Sequence, residues 1–121
     1  MNRLMSAIAV ATLSSVFSGA TQAQQPANAD DIAAGRVLSL RICTACHVVS
    51  PNQEIAPILH PPAPSFASIA NRSGMTEETV RHFLANTHRS IGNTKDMPNP
   101  SLMDDQIRQA AAYLMSLHTK P

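Results

Sequence analysis

The sequence predicts a small all-α domain whose helices are set around long loops. Three observations carry this prediction. Apolar positions recur at helical spacing, in segments that open on a capping residue. No segment of useful length alternates apolar and polar residues as a half-buried strand would, and no internal repeat is present. The nine prolines all fall outside the helical segments, where they forbid both helix and central strand. With 121 residues, there is room for one domain.

The first 23 residues read as an export signal. Arg3 supplies a positive start, and Leu4 to Phe17 is an apolar stretch diluted by Ser6, Thr12, Ser14 and Ser15. Gly19, Ala20, Thr21 and Ala23 then give the small residues of a cleavage site. A cut after Ala23 is the first choice and one after Ala20 the second. The competing reading, an uncleaved anchor, meets a run shorter than the roughly 20 residues a spanning helix needs. Residues 24–121 then form the domain, delivered to the periplasm. Once Arg3 is removed, its acidic and basic side chains balance.

Residues 24–29 form a polar lead-in, after which Asp30 is placed to cap a first helix, with Asp31 in its opening turn. Ile32, Val37, Leu38 and Ile42 are its apolar positions, interrupted by Gly35. A loop with five prolines spans Val48 to Pro64. Ser65 caps a short helix over Phe66 to Asn71, and Gly74 ends that section. Thr76 caps the next, with Glu77 and Glu78 in the first turn and Val80, Phe83 and Leu84 as its buried stripe. Thr87 to Pro100 is a second loop. The last helix is expected over Leu102 to Leu117, with Ser101 and Asp104 spaced as a capping pair and Ile107, Ala110, Ala111, Leu114 and Leu117 on its apolar face.

Composition narrows what such a domain does. Nine basic residues stand against eight acidic ones, too balanced for a nucleic-acid footprint. Two cysteines exclude a scaffold of several disulfides. Only Phe17, Phe66, Phe83 and Tyr113 are aromatic, and there is no Trp. A small chain so poor in large side chains struggles to build a core alone, so something else is expected to fill its centre.

The specific motif is Cys43-Thr44-Ala45-Cys46-His47. C-x-x-C-H is the attachment pattern of c-type haem. Two thiols three residues apart on a helical turn face the same side and reach both vinyl groups, forming thioethers. The adjacent His47 then falls under the iron as the proximal ligand. Three other readings compete. A disulfide leaves His47 without a reason, a redox dithiol of the thioredoxin kind should follow a strand, and a zinc site needs a second ligand pair.

The opposite face of the iron needs its own ligand. Met75, Met97, Met103, Met115, His60, His82, His88 and His118 are the candidates. A helical methionine serves more often as core filling. Met97 lies in a loop, stiffened by Pro98, and loop placement lets it cross to the far side of a ring 50 residues from His47. Chemistry favours Met97, with the loop residue His60 as its chief rival. His88 and His118 fall near helix ends, where partial positive charge is welcome.

Gly35 through Cys46-His47, Ala63-Pro64-Ser65-Phe66 with Ile69-Ala70, Asp96-Met97-Pro98 and Ala112 to Leu117 follow one another in an order that resembles the small bacterial class I c-type cytochromes. The resemblance covers nearly all of residues 24–121. It implies an all-α cytochrome c-like fold wrapped round one covalent haem c, with the N- and C-terminal helices crossing. Gly35 would let Tyr113 approach there, and Ala110 is small enough for close contact. It further implies thioethers at Cys43 and Cys46, iron held by His47 and Met97, and a Pro64 carbonyl that accepts the imidazole proton. Phe66 and Ile69 would belong to the haem pocket. The sequence departs from the family in several places. Ser39 stands where many relatives carry an aromatic residue, and the first loop is longer than in the smallest relatives. Lysine is reduced to Lys95 and Lys120, so the lysine ring of mitochondrial proteins is missing. Propionate partners do not carry over from the family, and Arg72 and Arg89 are the candidates.

The resemblance implies a one-electron carrier, not an enzyme, whose partners are redox proteins: a periplasmic dehydrogenase, a quinol-oxidising complex or a terminal oxidase. It would be a monomer without stable membrane insertion. A haem enzyme or gas-binding protein with an open or bis-histidine sixth site is the alternative from another class. A third possibility is the haem subunit of a dehydrogenase or sulfur-oxidising complex.

Overall fold

A computed structural model describes residues 28–86 and 97–119. The export signal, His88, Arg89 and Gly92 lie outside the described residues. Four helices follow one another: α1 (Ala29–Ile42), α2 (Phe66–Ala70), α3 (Glu77–Ala85) and α4 (Asp104–Ser116). No strand is present among the described residues, and the one bridge pairs His47 with Ala63 in parallel. The all-α expectation therefore holds.

α1 starts earlier than the sequence predicted. Its cap is Asn28, whose Oδ1 accepts from the Asp31 N–H at 2.7 Å. Asp30 and Asp31 both sit in the first turn, where carboxylates meet the positive end of the helix dipole. The buried face also differs from expectation. Val37 and Ile42 are exposed, while Gly35 and Ser39 are buried. The reason is a close backbone approach. A Cβ on Gly35 would lie 1.9 Å from the Gln109 carbonyl oxygen and 2.8 Å from Tyr113 Cβ. Only glycine lets α1 and α4 come this near, and that contact decides which side of α1 turns inward. The first clash is with the Gln109 backbone, ahead of Tyr113.

α2 and α3 follow their local signals. The Ser65 and Thr76 hydroxyls accept from the Ser68 and Thr79 N–H groups, each at 3.1 Å. Gly74 takes a positive φ of 75° in the turn between the two helices, a conformation cheap only for glycine. Val80 is buried and Leu84 packs at the core margin, but Phe83 is 47% exposed, so the stripe of α3 is narrower than three residues.

α4 begins two residues after the expected start, and Ser101 does not cap it. Ser101 has φ 51°, and its N–H donates to Asn99 Oδ1 at 2.8 Å. Met103 takes the cap position with no side-chain bond of its own, while Gln106 Oε1 reaches back to accept the Met103 N–H at 3.0 Å. That is half of a capping box. Ile107 and Ala110 to Leu114 are all buried, a wider apolar face than expected because α1, α2 and α3 all pack on this helix. The core consists of Val49, Phe66, Ala70, Val80, Ala111, Tyr113 and Leu114, with Met75 and Met115 packed at its edge.

Two polar devices close the molecule. Arg108 makes a two-pronged ion pair with Asp31, both contacts at 3.1 Å, across α1 and α4. Asn71 Oδ1 accepts from the Thr119 N–H at 3.0 Å and from its hydroxyl, and His118 Nδ1 donates to the Ala70 carbonyl at 2.9 Å. Residues 118 and 119 are thereby fastened to the end of α2.

Candidate haem-binding site

α1 ends directly at Cys43, whose N–H donates to the Ser39 carbonyl at 2.9 Å. The chain continues in a tight turn, with the Cys46 and His47 N–H groups donating back to the Cys43 carbonyl. Thr44 Oγ1 secures the turn by donating to the Leu40 carbonyl at 3.3 Å. Both cysteines are free and half-buried. Burial pushes the Cys43 thiol up to about 11, opposed in part by the nearby Ser39 hydroxyl and reinforced by the neighbouring Cys46. No disulfide joins the pair.

His47 is buried. Its Nδ1 lies 2.7 Å from the Pro64 carbonyl oxygen. A carbonyl can only accept, so Nδ1 carries the proton and Nε2 keeps its lone pair for a metal. Around this bond the turn is stapled to residues 63–66. Ala63 N–H donates to the Cys46 carbonyl at 2.9 Å, and Phe66 N–H to the Val48 carbonyl at 3.0 Å. The Phe66 ring meets the imidazole edge-on at 5.6 Å and 60°, and lies 6.3 Å from the Tyr113 ring. Tyr113 in turn donates its hydroxyl to the Val49 carbonyl at 2.8 Å. The imidazole is therefore fixed by one hydrogen bond and by a row of rings running back to α4.

The long proline loop folds on itself beside the motif. Gln53 Oε1 accepts from the Val49 N–H at 2.8 Å, and its Nε2 donates to the Ile55 carbonyl at 2.6 Å. The Ile58 and Leu59 N–H groups both donate to the Ala45 carbonyl. Sequence reasoning missed Gln53, because a glutamine that satisfies its own loop leaves no pattern in the chain.

The structure gathers Cys43, Cys46, His47, Pro64 and Phe66, while Ile69 packs at the core margin. Met97 is half-buried in the stretch that leads into α4. Its rivals have other duties or positions. Met75 and Met115 pack on the core, Met103 is 63% exposed at the α4 cap, and His60 and His82 are exposed. His118 is engaged with Ala70. Arg72 is exposed beyond α2. Among the described residues no cluster of three or more His, Cys, Asp or Glu could hold a metal ion.

The donor set fits haem c. Two half-buried thiols three residues apart precede an imidazole whose Nδ1 is engaged and whose Nε2 is available, the arrangement that two vinyl groups and an iron require. Among the described residues no helix is long and apolar enough to cross a membrane. Comparison with known proteins points the same way. The profile of the family described as Cytochrome c matches residues 32–118. Cytochrome c-552 of Bradyrhizobium diazoefficiens is 35% identical over 89 residues, covering 74% of this chain and 77% of that protein. No solved structure gave a significant match. The helical fold, the C-x-x-C-H turn and these two matches agree: the chain belongs to the cytochrome c family, as a small bacterial class I cytochrome that carries covalent haem c and transfers electrons.

Proposed function

We propose that this protein is an exported monohaem carrier whose haem is bound through Cys43 and Cys46, with His47 and Met97 as the axial ligands. The observation that carries this reading is the 2.7 Å bond from His47 Nδ1 to the Pro64 carbonyl. It fixes the tautomer and leaves Nε2 as the ligand atom. Bound haem supplies reversible one-electron chemistry at iron. The protein's residues supply the rest. Cys43 and Cys46 tether the ring, the Pro64 carbonyl makes the imidazole a stronger donor, and Phe66 holds the imidazole plane. Met97 offers a thioether that stabilises ferrous iron and keeps the potential high. Ligation on both faces suits a carrier, because little rearrangement accompanies electron transfer. The partners are redox proteins of the periplasm or its bounding membrane, and residues 1–23 direct the export. The alternative with an open sixth site lacks the support that a half-buried Met97 next to Pro98 gives to the carrier.

Mass spectrometry of protein matured in a host with haem-attachment machinery tests the proposal. The expected product lacks residues 1–23 and carries one haem on the peptide that spans residues 43–47. The ferric protein should show a methionine–iron charge-transfer band. Free thiols at both cysteines in such material would overturn the tethering, and absence of the band would overturn the ligand pair.

A further inference from the structure

Ser39 is fully buried, and its Oγ is the one buried side-chain polar atom among the described residues with no hydrogen-bond partner of ordinary geometry. A serine inside a helix commonly returns its hydroxyl to the carbonyl four residues back. Ser39 does not do so. An orphaned buried hydroxyl is costly, and native proteins rarely keep one without a use. Solvent does not reach this one, since the residue is 0% exposed. The group that follows it on the same side of the helix, four residues on, is the Cys43 thiol. The two are tied by the Cys43 N–H bond to the Ser39 carbonyl.

We propose that Ser39 is a positioning residue for the haem: its hydroxyl donates a hydrogen bond to the Cys43 sulfur once that sulfur has become a thioether. This rests on the reading of Cys43 as an attachment point. The chemistry of the sulfur sets the direction. A thiol can donate or accept, but a thioether can only accept. Attachment therefore leaves the Ser39 hydroxyl as the sole possible donor of the pair and gives it the partner it lacks. The bond holds the Cys43 side chain in one rotamer. It also draws electron density from the sulfur at the ring edge, which favours the ferrous state, as hydrogen bonds around a redox cofactor do.

The test compares haem-loaded wild type, Ser39→Ala and Ser39→Thr. Mass spectrometry of the haem peptide comes first. If Cys43 carries no haem, this inference and the reading beneath it fall together. With haem on Cys43, the inference stands or falls by itself. Resonance Raman should then show a carbon–sulfur band that shifts on transfer to deuterated water in wild type and Ser39→Thr, but not in Ser39→Ala. The potential should fall in Ser39→Ala, lowering the ferrous-to-ferric ratio against a fixed couple by about two- to threefold, in keeping with part of one net hydrogen bond. Ser39→Thr should restore it. A hydroxyl that is merely orphaned predicts something else. Ser39→Ala would then gain stability to denaturant while its potential and carbon–sulfur band matched wild type, and that result overturns the inference without help from the threonine variant.

Discussion

Replacing Gly35 with alanine puts one methyl group into the close approach of α1 to α4. The added Cβ would stand 1.9 Å from the Gln109 carbonyl oxygen, 2.5 Å from its carbon and 2.8 Å from Tyr113 Cβ. Ordinary carbon–oxygen contact is near ~3.3 Å, so α1 and α4 would have to part by roughly 1.4 Å. Two of the three atoms are backbone and the third is the root of a side chain, so no rotamer change relieves the clash. Overpacking of this kind costs about 1–3 kcal/mol, and a backbone clash belongs at the upper end. Alanine recovers about 1 kcal/mol through its better helix propensity. The expected net loss is about 2 kcal/mol, or roughly 8–16 °C in melting temperature for a domain of this size. Thermal unfolding of the haem-loaded protein, followed by circular dichroism, measures it. A Gly35→Ala protein as stable as wild type, or more so, would refute the claim that this glycine sets the helix crossing.

Tyr113→Phe should cost about 1–2 kcal/mol in denaturant unfolding, because the Val49 carbonyl loses the buried hydroxyl that it accepts at 2.8 Å; an unchanged midpoint would show that the bond contributes nothing. Met97→Ala should leave haem attached, lower the potential and open the sixth site to carbon monoxide, whereas His60→Ala should leave spectrum and potential alone. The reverse pattern would mean a bis-histidine iron. Asn71→Ala should speed amide exchange at Thr119, whose N–H the Asn71 side chain holds at 3.0 Å, with little change elsewhere.

What the sequence disclosed, it disclosed through short-range chemistry. Ser65 and Thr76 announce their helices because a cap and its N–H partner lie three residues apart. Cys43, Cys46 and His47 announce themselves because one turn holds all three. Longer-range choices were hidden. The apolar pattern of α1 includes Val37 and Ile42, yet both are exposed, and the close approach to Gln109 buries Gly35 and Ser39 instead. Ser101 looks like a cap, but Asn99 draws its N–H into a turn and Gln106 serves the helix in its place. Gln53 and Asn71 bind main chain in their own surroundings, and nothing about a lone amide residue foretells that. At Gly35 and Asn71 a tertiary contact decides the outcome, whereas at Ser101 and Gln53 one local bond displaces another.

Asp31 and Arg108 meet across 77 residues of chain, and the helices they join are the first and last of the described residues. Closing a loop of that length costs on the order of 4 kcal/mol in chain entropy, and nothing repays it until both ends exist. Since a ribosome delivers the N-terminus first, α1 must wait for its α4 partner through almost the whole of synthesis. α4, the last helix to arrive among the described residues, is what completes the packing of α1. A premature stop ahead of residue 104 would therefore release a chain that still presents its C-x-x-C-H turn but has nothing with which to close over it.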